Sequence, residues 1–237
     1  LTAKQEDYRL RHLVSIIVPA LNEAACIEAL ISSIPVAEFR SRGFETEILI
    51  VDNGSVDGTA ELARKANARV ICEPRRGYGF AYLLGFKEAK GDIICTLDAD
   101  GTYPASALPQ MLDRLLGEDL DFINTNRFSL MTNGVMPRTR RFGNAVLTLA
   151  SHILFRLPFD DSQSGMWVLR RKLLSEMRLQ AKGMALSEEI KIEAAWRAKA
   201  RCAELPINYG YRRGNSKLRM WRDGLGNLLY LLRKRLT

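Results

Sequence analysis

Short apolar runs recur along the chain, each closing in a polar, turn-rich stretch: Val14–Pro19, Glu47–Val51, Arg69–Cys72, Ile93–Leu97, Leu120–Asn124, Gly165–Leu169 and Cys202–Asn208. Apolar runs of this length bounded by Gly, Pro, Asn or Asp are the pattern of buried strands. Helical segments lie between them: about Glu23 to Ile34, stopped by Pro35, then Gly58–Asn67, Phe80–Ala89, Pro104 to about Leu116, Phe142–Phe155 and an amphipathic stretch at Ser187–Lys199. Asn22 and Asp57 stand where caps for the first two helices are expected. Strand and helix alternate four times in about 85 residues. That rhythm predicts βαβ units and an α/β domain with a mainly parallel central sheet flanked by helices. The polar segment Ser129–Arg141, with Gly134 and Pro137, reads as a mobile loop.

The run Ile93–Leu97 ends in Asp98-Ala99-Asp100-Gly101. Ligands of open α/β sheets gather at the carboxyl ends of strands, so a site is expected there. Two neighbouring carboxylates are costly unless a positive charge sits between or beside them. With no His or Cys at hand, the oxygen-only pair favours Mg²⁺ or Mn²⁺ over zinc. The alternative is a strand-end turn with two solvated carboxylates.

Charge sharpens the picture. The net charge is +8, but residues 127–237 carry 22 basic against 8 acidic side chains while residues 1–126 carry 13 against 19. A strongly positive second half points to nucleic acid, an anionic membrane surface or a phosphorylated substrate. Its arginines are not interleaved with aromatic residues as a base-stacking platform requires, which argues against nucleic acid. The four cysteines lack metal-ligand spacing, and three sit in core-like contexts, so reduced thiols are expected. Only two histidines exist, against a His-based triad or metal site. Residues Leu1 to Arg11 lack the apolar core of a signal peptide, and no run approaches the ~20 apolar residues that span a bilayer. The tail is apolar over Leu225–Leu232 and then basic; it reads as a terminal helix, an interfacial helix or a lead into membrane segments.

A set of motifs in fixed order completes the reading: Val18-Pro19-Ala20-Leu21-Asn22-Glu23, Asp52 to Thr59, Gly77-Tyr78-Gly79-Phe80-Ala81, Asp98-Ala99-Asp100, Asn126-Arg127-Phe128, Gly143-Asn144, Asp161-Ser162-Gln163-Ser164-Gly165-Met166 and Arg212 to Lys217. In these the chain resembles the family 2 glycosyltransferases with the GT-A fold, in particular their polyprenyl-phosphate (dolichyl-phosphate mannose synthase-like) branch. The resemblance covers residues 14 to about 218. It implies a single GT-A (Rossmann-like) domain with a nucleotide-sugar half (14–126) and an acceptor half (127–218), followed by the basic tail (219–237), for which membrane association is one of the readings above. It implies that Pro19, Ala20, Asn22, Glu23, Asp52, Asn53, Gly54, Ser55, Gly77, Gly79, Asp98, Ala99 and Asp100 hold the donor, with Mg²⁺ or Mn²⁺ on Asp98 and Asp100. Arg127, Arg138, Arg140, Arg141, Ser164, Arg212, Arg213 and Lys217 would cradle phosphate on the acceptor side. The protein would then work on the cytoplasmic side, peripheral to a membrane. Two departures stand out: Trp167 occupies a position where many relatives carry Arg, so that contact is expected from Arg170 or Arg171, and Thr102-Tyr103 follows the aspartates where relatives carry other residues.

The implied reaction is inverting transfer of a sugar from a nucleotide sugar to a polyprenyl phosphate. A phosphate monoester arrives anionic, since its second pKa lies near ~6, and needs no dedicated base. The sequence offers none beyond Asp161, which a turn-holding role explains equally. Rival readings are a transferase acting on a sugar hydroxyl and a non-catalytic nucleotide- or nucleic-acid-binding protein. A nucleotidyltransferase would need a Gly-rich, Lys-bearing phosphate loop that Pro19–Glu23 lacks.

Overall fold

A computed structural model describes residues 12–132, 134–212 and 220–236. Seven strands form one sheet in the order β3-β2-β1-β4-β6-β5-β7. They are β1 (Leu13–Ala20), β2 (Glu45–Asp52), β3 (Arg69–Cys72), β4 (Ile93–Thr96), β5 (Phe122–Asn126), β6 (Trp167–Arg170) and β7 (Cys202–Pro206). β1, β2, β3 and β4 pair in parallel, as do β5 and β7. β6 runs antiparallel between β4 and β5.

The helices are α1 (Ile27–Ser33), α2 (Val36–Ser41), α3 (Thr59–Lys65), α4 (Tyr78–Glu88), α5 (Leu108–Gly117), α6 (Arg138–Phe155), α7 (Leu186–Lys191) and α8 (Met220–Leu236). Period-two alternation sends Ile16, Val18, Ile50, Ile93 and Cys95 into one apolar layer, with α1, α2 and α5. Ile17, Leu49, Val51 and Ile94 enter the other, with α4, α6 and α7. Both faces of the sheet are therefore covered, as its uninterrupted apolar strands require.

Several boundaries differ from the sequence expectation for local reasons. Asn22 does not cap α1: Cys26 holds that position, and Asn22 sits in the left-handed region (φ 51°). Its carboxamide oxygen instead accepts from the Val56 N–H at 2.9 Å, tying two strand-end turns together. Asp57 does reach the start of α3 through the Thr59 N–H (3.1 Å), but its other oxygen takes the Ala24 N–H (3.0 Å). Pro35 ends α1 and immediately opens the unanticipated α2. α6 begins at Arg138, directly after Pro137, so the last residues of the expected loop are helical. Met136 is buried, and Met131 and Val135 pack on the core, so that segment is not a wholly solvated lid. α7 runs on as a π-helical turn over Ile192–Arg197 instead of a single regular helix to Lys199. All four cysteines are free thiols, with Cys72 exposed at the end of β3.

Candidate functional site

The carboxyl ends of β1, β2 and β4 open on one cavity of about 260 Å³. Pro19, Ala20 and Glu23 from the end of β1, Asn53 after β2, Gly77 and Tyr78 at the start of α4, and Asp98, Ala99 and Asp100 after β4 form its walls. Because β6 runs backwards beside β4, it begins where β4 ends, which brings Gly165 against Asp98. A Cβ on Gly165 would stand 2.9 Å from the Tyr78 hydroxyl and 3.3 Å from each Asp98 carboxylate oxygen, so a larger residue there would push on both side chains.

The cavity is electrostatically two-sided. Asp98 is pushed up to about 7, first by burial and then by Asp100, while the guanidinium groups of Arg127, Arg212 and Arg140 pull it back. A second cation at the pair would relieve that strain. Asp100 uses Oδ1 to accept from the Thr102 N–H (3.0 Å) and hydroxyl (2.6 Å). Its Oδ2 lies 2.8 Å from Arg212 Nη1. Two carboxylates of oxygen-only character fit a hard divalent cation that draws its remaining ligands from a diphosphate. No cluster of three or more His, Cys, Asp or Glu gathers among the described residues.

Arg127 and Asp161 form a buried bidentate pair. Arg127 Nε donates to Asp161 Oδ2 at 2.7 Å and Nη2 to Oδ1 at 2.8 Å, and the Arg127 backbone N–H adds a third bond at 3.0 Å. Arg127 lines the cavity, but this carboxylate occupies much of its fork. Asp161 itself is fully buried and does not line the cavity. The arrangement orients Arg127; it does not present a base to a substrate.

The other expected residues divide clearly. Arg140 and Arg212 line the cavity, whereas Arg138 and Arg141, on the same helical turn as Arg140, are exposed and do not. Asp52, Gly54, Ser55, Gly79, Asn22 and Ser164 do not line the cavity. Asn53 contributes through architecture: its carboxamide donates to the Glu73 and Arg75 carbonyls and accepts from the Gly77 N–H. Arg170 and Arg171 do not replace an arginine at Trp167. They sit at the far end of β6, where Arg170 bonds the Leu120 carbonyl and Asp119, and Arg171 reaches the Ala89 carbonyl. Arg213 and Lys217 lie outside the described residues.

Tyr78, Tyr103, Gln163, Met184, Ser187 and Tyr209 also line the cavity and were not anticipated as site residues. Tyr78 and Gln163 lie inside motifs already noted, and that membership was their signal. Tyr209 was accessible only through packing: it meets Tyr103 edge-on at 5.1 Å and lies under Arg127 at 5.4 Å.

Comparison with known proteins gives four findings. The profile described as "Glycosyl transferase family 2" matches residues 15–178. The "Low-salt glycan biosynthesis hexosyltransferase Agl6" of Haloferax volcanii is 30% identical over 228 residues, covering 95% of this chain and 54% of that protein; the chain thus spans about half its length. The "Dolichyl-phosphate hexose transferase" of the same organism is 33% identical, covering 86% of each. Among solved structures, glucosyl-3-phosphoglycerate synthase from Mycobacterium tuberculosis, in complex with Mn²⁺, UDP and phosphoglyceric acid, superposes with a TM-score of 0.76 at 23% identity. That superposition covers 98% of this chain and 81% of that one, and shows a shared GT-A fold.

Proposed function

The chain belongs to glycosyl transferase family 2, and from that premise we propose that it transfers a sugar, with inversion, from a nucleotide sugar to a polyprenyl phosphate at a membrane surface. The observation that carries this reading is that the cavity combines a carboxylate pair with three arginines and offers no uncommitted carboxylate beside them among the described residues. Arg127, Arg140 and Arg212 line the same cavity as the Asp98–Asp100 pair, and the carboxylates among the described residues that meet Arg127 or Arg212, namely Asp161, Asp100 and Glu23, are each held in an ion pair. Asp161, fully buried, is committed to Arg127.

In this reading the nucleotide lies along Pro19–Glu23 and the Asn53–Gly77 turn. Asp98 and Asp100 face the diphosphate and would hold a Mg²⁺ or Mn²⁺ there, which would supply positive charge to the leaving group. The acceptor phosphate lies against Arg140, and Arg127 is held rigid by Asp161 to face it. A phosphate oxygen attacks the anomeric carbon, the carbon–oxygen bond to the diphosphate breaks, and the nucleoside diphosphate leaves with that electron pair. No proton needs to move, so the site works by positioning and electrostatics. The name of the dolichyl-phosphate relative supports the acceptor class.

Support for a membrane surface comes from α6 and α8. α8 packs on the core with Asn227, Tyr230, Leu231 and Lys234, a mostly polar stripe. Its apolar stripe, Leu225, Leu229, Leu232 and Leu236, faces outward. α6 repeats the four-three-four spacing outward with Phe142, Val146, Leu149 and Ile153. Two packed helices with exposed leucine-type stripes, and the exposed Arg233 and Arg235 at the end of α8, match an interfacial surface. No helix among the described residues is long and apolar enough to cross a membrane.

The test is radiolabelled transfer from a panel of nucleotide sugars. The expected product is organic-extractable and mild-acid-labile, and Arg140→Ala reduces it tenfold or more while nucleotide binding persists. Incorporation only into aqueous glycans would mean a hydroxyl acceptor and overturn the proposal.

A further inference from the structure

The segment leaving β7 is tethered across the site. The Ile207 N–H donates to the Asn126 carbonyl (3.0 Å), Tyr209 packs on Tyr103, and the Gly210 N–H donates to the Thr102 carbonyl (2.8 Å). Two residues beyond that last tether, Arg212 turns back into the cavity. Its Nη1 lies 2.8 Å from Asp100 Oδ2 and its Nη2 3.3 Å from Glu23 Oε1. Its Nε is buried with no hydrogen-bond partner among the described residues.

These contacts bear directly on cation binding. Thr102 holds Asp100 Oδ1 with two hydrogen bonds. Oδ2 is the oxygen turned away from Thr102, and the guanidinium is on it. Arg212 also joins the two walls of the cleft, since Glu23 follows β1 and Asp100 follows β4. The cavity it helps to line, about 260 Å³, is smaller than the ~300–1,000 Å³ usual for ligand pockets. A guanidinium whose Nε is left unsatisfied is not in its best arrangement, because Arg recognises oxyanions through its whole fork.

We propose that Arg212 is a displaceable clip. In the unliganded protein it pairs with Asp100 and Glu23 and draws the cleft shut. A divalent cation takes Asp100 Oδ2 in its place, and the released guanidinium turns to an anionic phosphate oxygen, where Nε and Nη2 act together. This rests on the reading of Asp98 and Asp100 as cation ligands. Its consequence is an order of events: the phosphate-binding arginine becomes available only after the cation has arrived. No bond is made or broken; one cation replaces another on a carboxylate.

The test is direct Mn²⁺ binding, followed by the electron paramagnetic resonance signal of the free ion, with no nucleotide or lipid present. Arg212→Ala is expected to bind Mn²⁺ about tenfold more tightly than the wild-type chain, and Arg212→Lys to lie between them. Glu23→Gln, which removes one anchor of the clip but leaves Asp100 intact, should also tighten binding, and it serves if Arg212→Ala folds poorly. Equal or weaker Mn²⁺ affinity in both Arg212→Ala and Glu23→Gln, with binding still lost in Asp100→Asn, overturns the clip and leaves the cation site standing. Wild-type Mn²⁺ affinity in Asp100→Asn overturns the cation site, and the clip with it.

Discussion

Replacing Asp161 by Asn separates a structural carboxylate from a catalytic one. Asp161 is fully buried and Arg127 is only 3% exposed, and three hydrogen bonds between 2.7 and 3.0 Å join them. A fourth bond to Asp161 comes from the Gln163 N–H at 3.2 Å. Arginine keeps its proton, so removing the negative partner leaves an uncompensated buried charge, which costs about 3–5 kcal/mol. Asparagine preserves the shape and one acceptor oxygen, which puts the loss toward ~3 kcal/mol. For a chain of this length each kcal/mol lowers Tm by roughly 2–4 °C, so the expected drop is about 6–12 °C. The assay pairs thermal unfolding by circular dichroism with sugar transfer measured well below both midpoints. Transfer should fall no more than about tenfold, because Arg127 loses its orientation but no base is lost. A double variant, Arg127→Met with Asp161→Leu, should be less destabilised than the two single losses combined, since neither charge is then stranded. An unchanged Tm together with a 10²–10⁴-fold loss of transfer would show that Asp161 is a base, and the phosphate-acceptor argument would fail.

Three further outcomes follow from the same geometry. Gly165→Ala should cut turnover at least tenfold with only a few degrees lost in Tm, because the added Cβ crowds Tyr78 and Asp98; full activity would show that the loop yields freely. Glu188→Gln tests a buried acid: burial pushes Glu188 up to about 8 while its Oε1 accepts from Gln163 and its Oε2 has no partner among the described residues. The folded state therefore holds that proton more tightly than the unfolded one, and stability from this group is lost as pH rises from about 4.5 to about 8. The variant should match the wild type near the low end of that window and exceed it in Tm at the high end; a constant difference across the window refutes the assignment. Finally, Leu229→Ser or Ile153→Ser should weaken sedimentation with anionic liposomes roughly tenfold, the scale of losing a large apolar side chain from an interface, without lowering Tm; unchanged sedimentation removes the interfacial role.

The parallel half of the fold was legible because its signals are local. Apolar runs, helical spacing and turn residues placed β1 to β4, and the aspartates at the end of β4 announced the cavity. The direction of β6 was not legible. Its reversal depends on the long path through α6, and only that reversal puts Gly165 beside Asp98 and carries Arg170 and Arg171 to the opposite end of the sheet. The Arg127–Asp161 pair joins residues 34 positions apart, and no periodicity encodes such a partner. Asn22 misled as a cap: it and Asn53 stitch one turn to another through backbone groups, and Asn53 also lines the cavity.

α6 shows where local rules give way to the site. Its first turn carries Arg138, Arg140 and Arg141 and no acidic residue. Cations at a helix N-terminus oppose the macrodipole, each by about 0.3–1 kcal/mol, so this turn is destabilising on its own terms. The same turn becomes favourable when an oxyanion sits in front of it, because exposed N–H groups and arginine forks then share one charge. Two of the three arginines face solvent while Arg140 points into the cavity that holds Asp98. Beyond the basic turn the outer face changes at once to Phe142, Val146, Leu149 and Ile153, with Phe142 and Ile153 at 72% and 71% exposure. One helix thus places an anion-seeking end at the cavity and an apolar stripe outside. A ligand that is a phosphate at one end and a hydrocarbon chain at the other accounts for both departures together; a glycan hydroxyl accounts for neither.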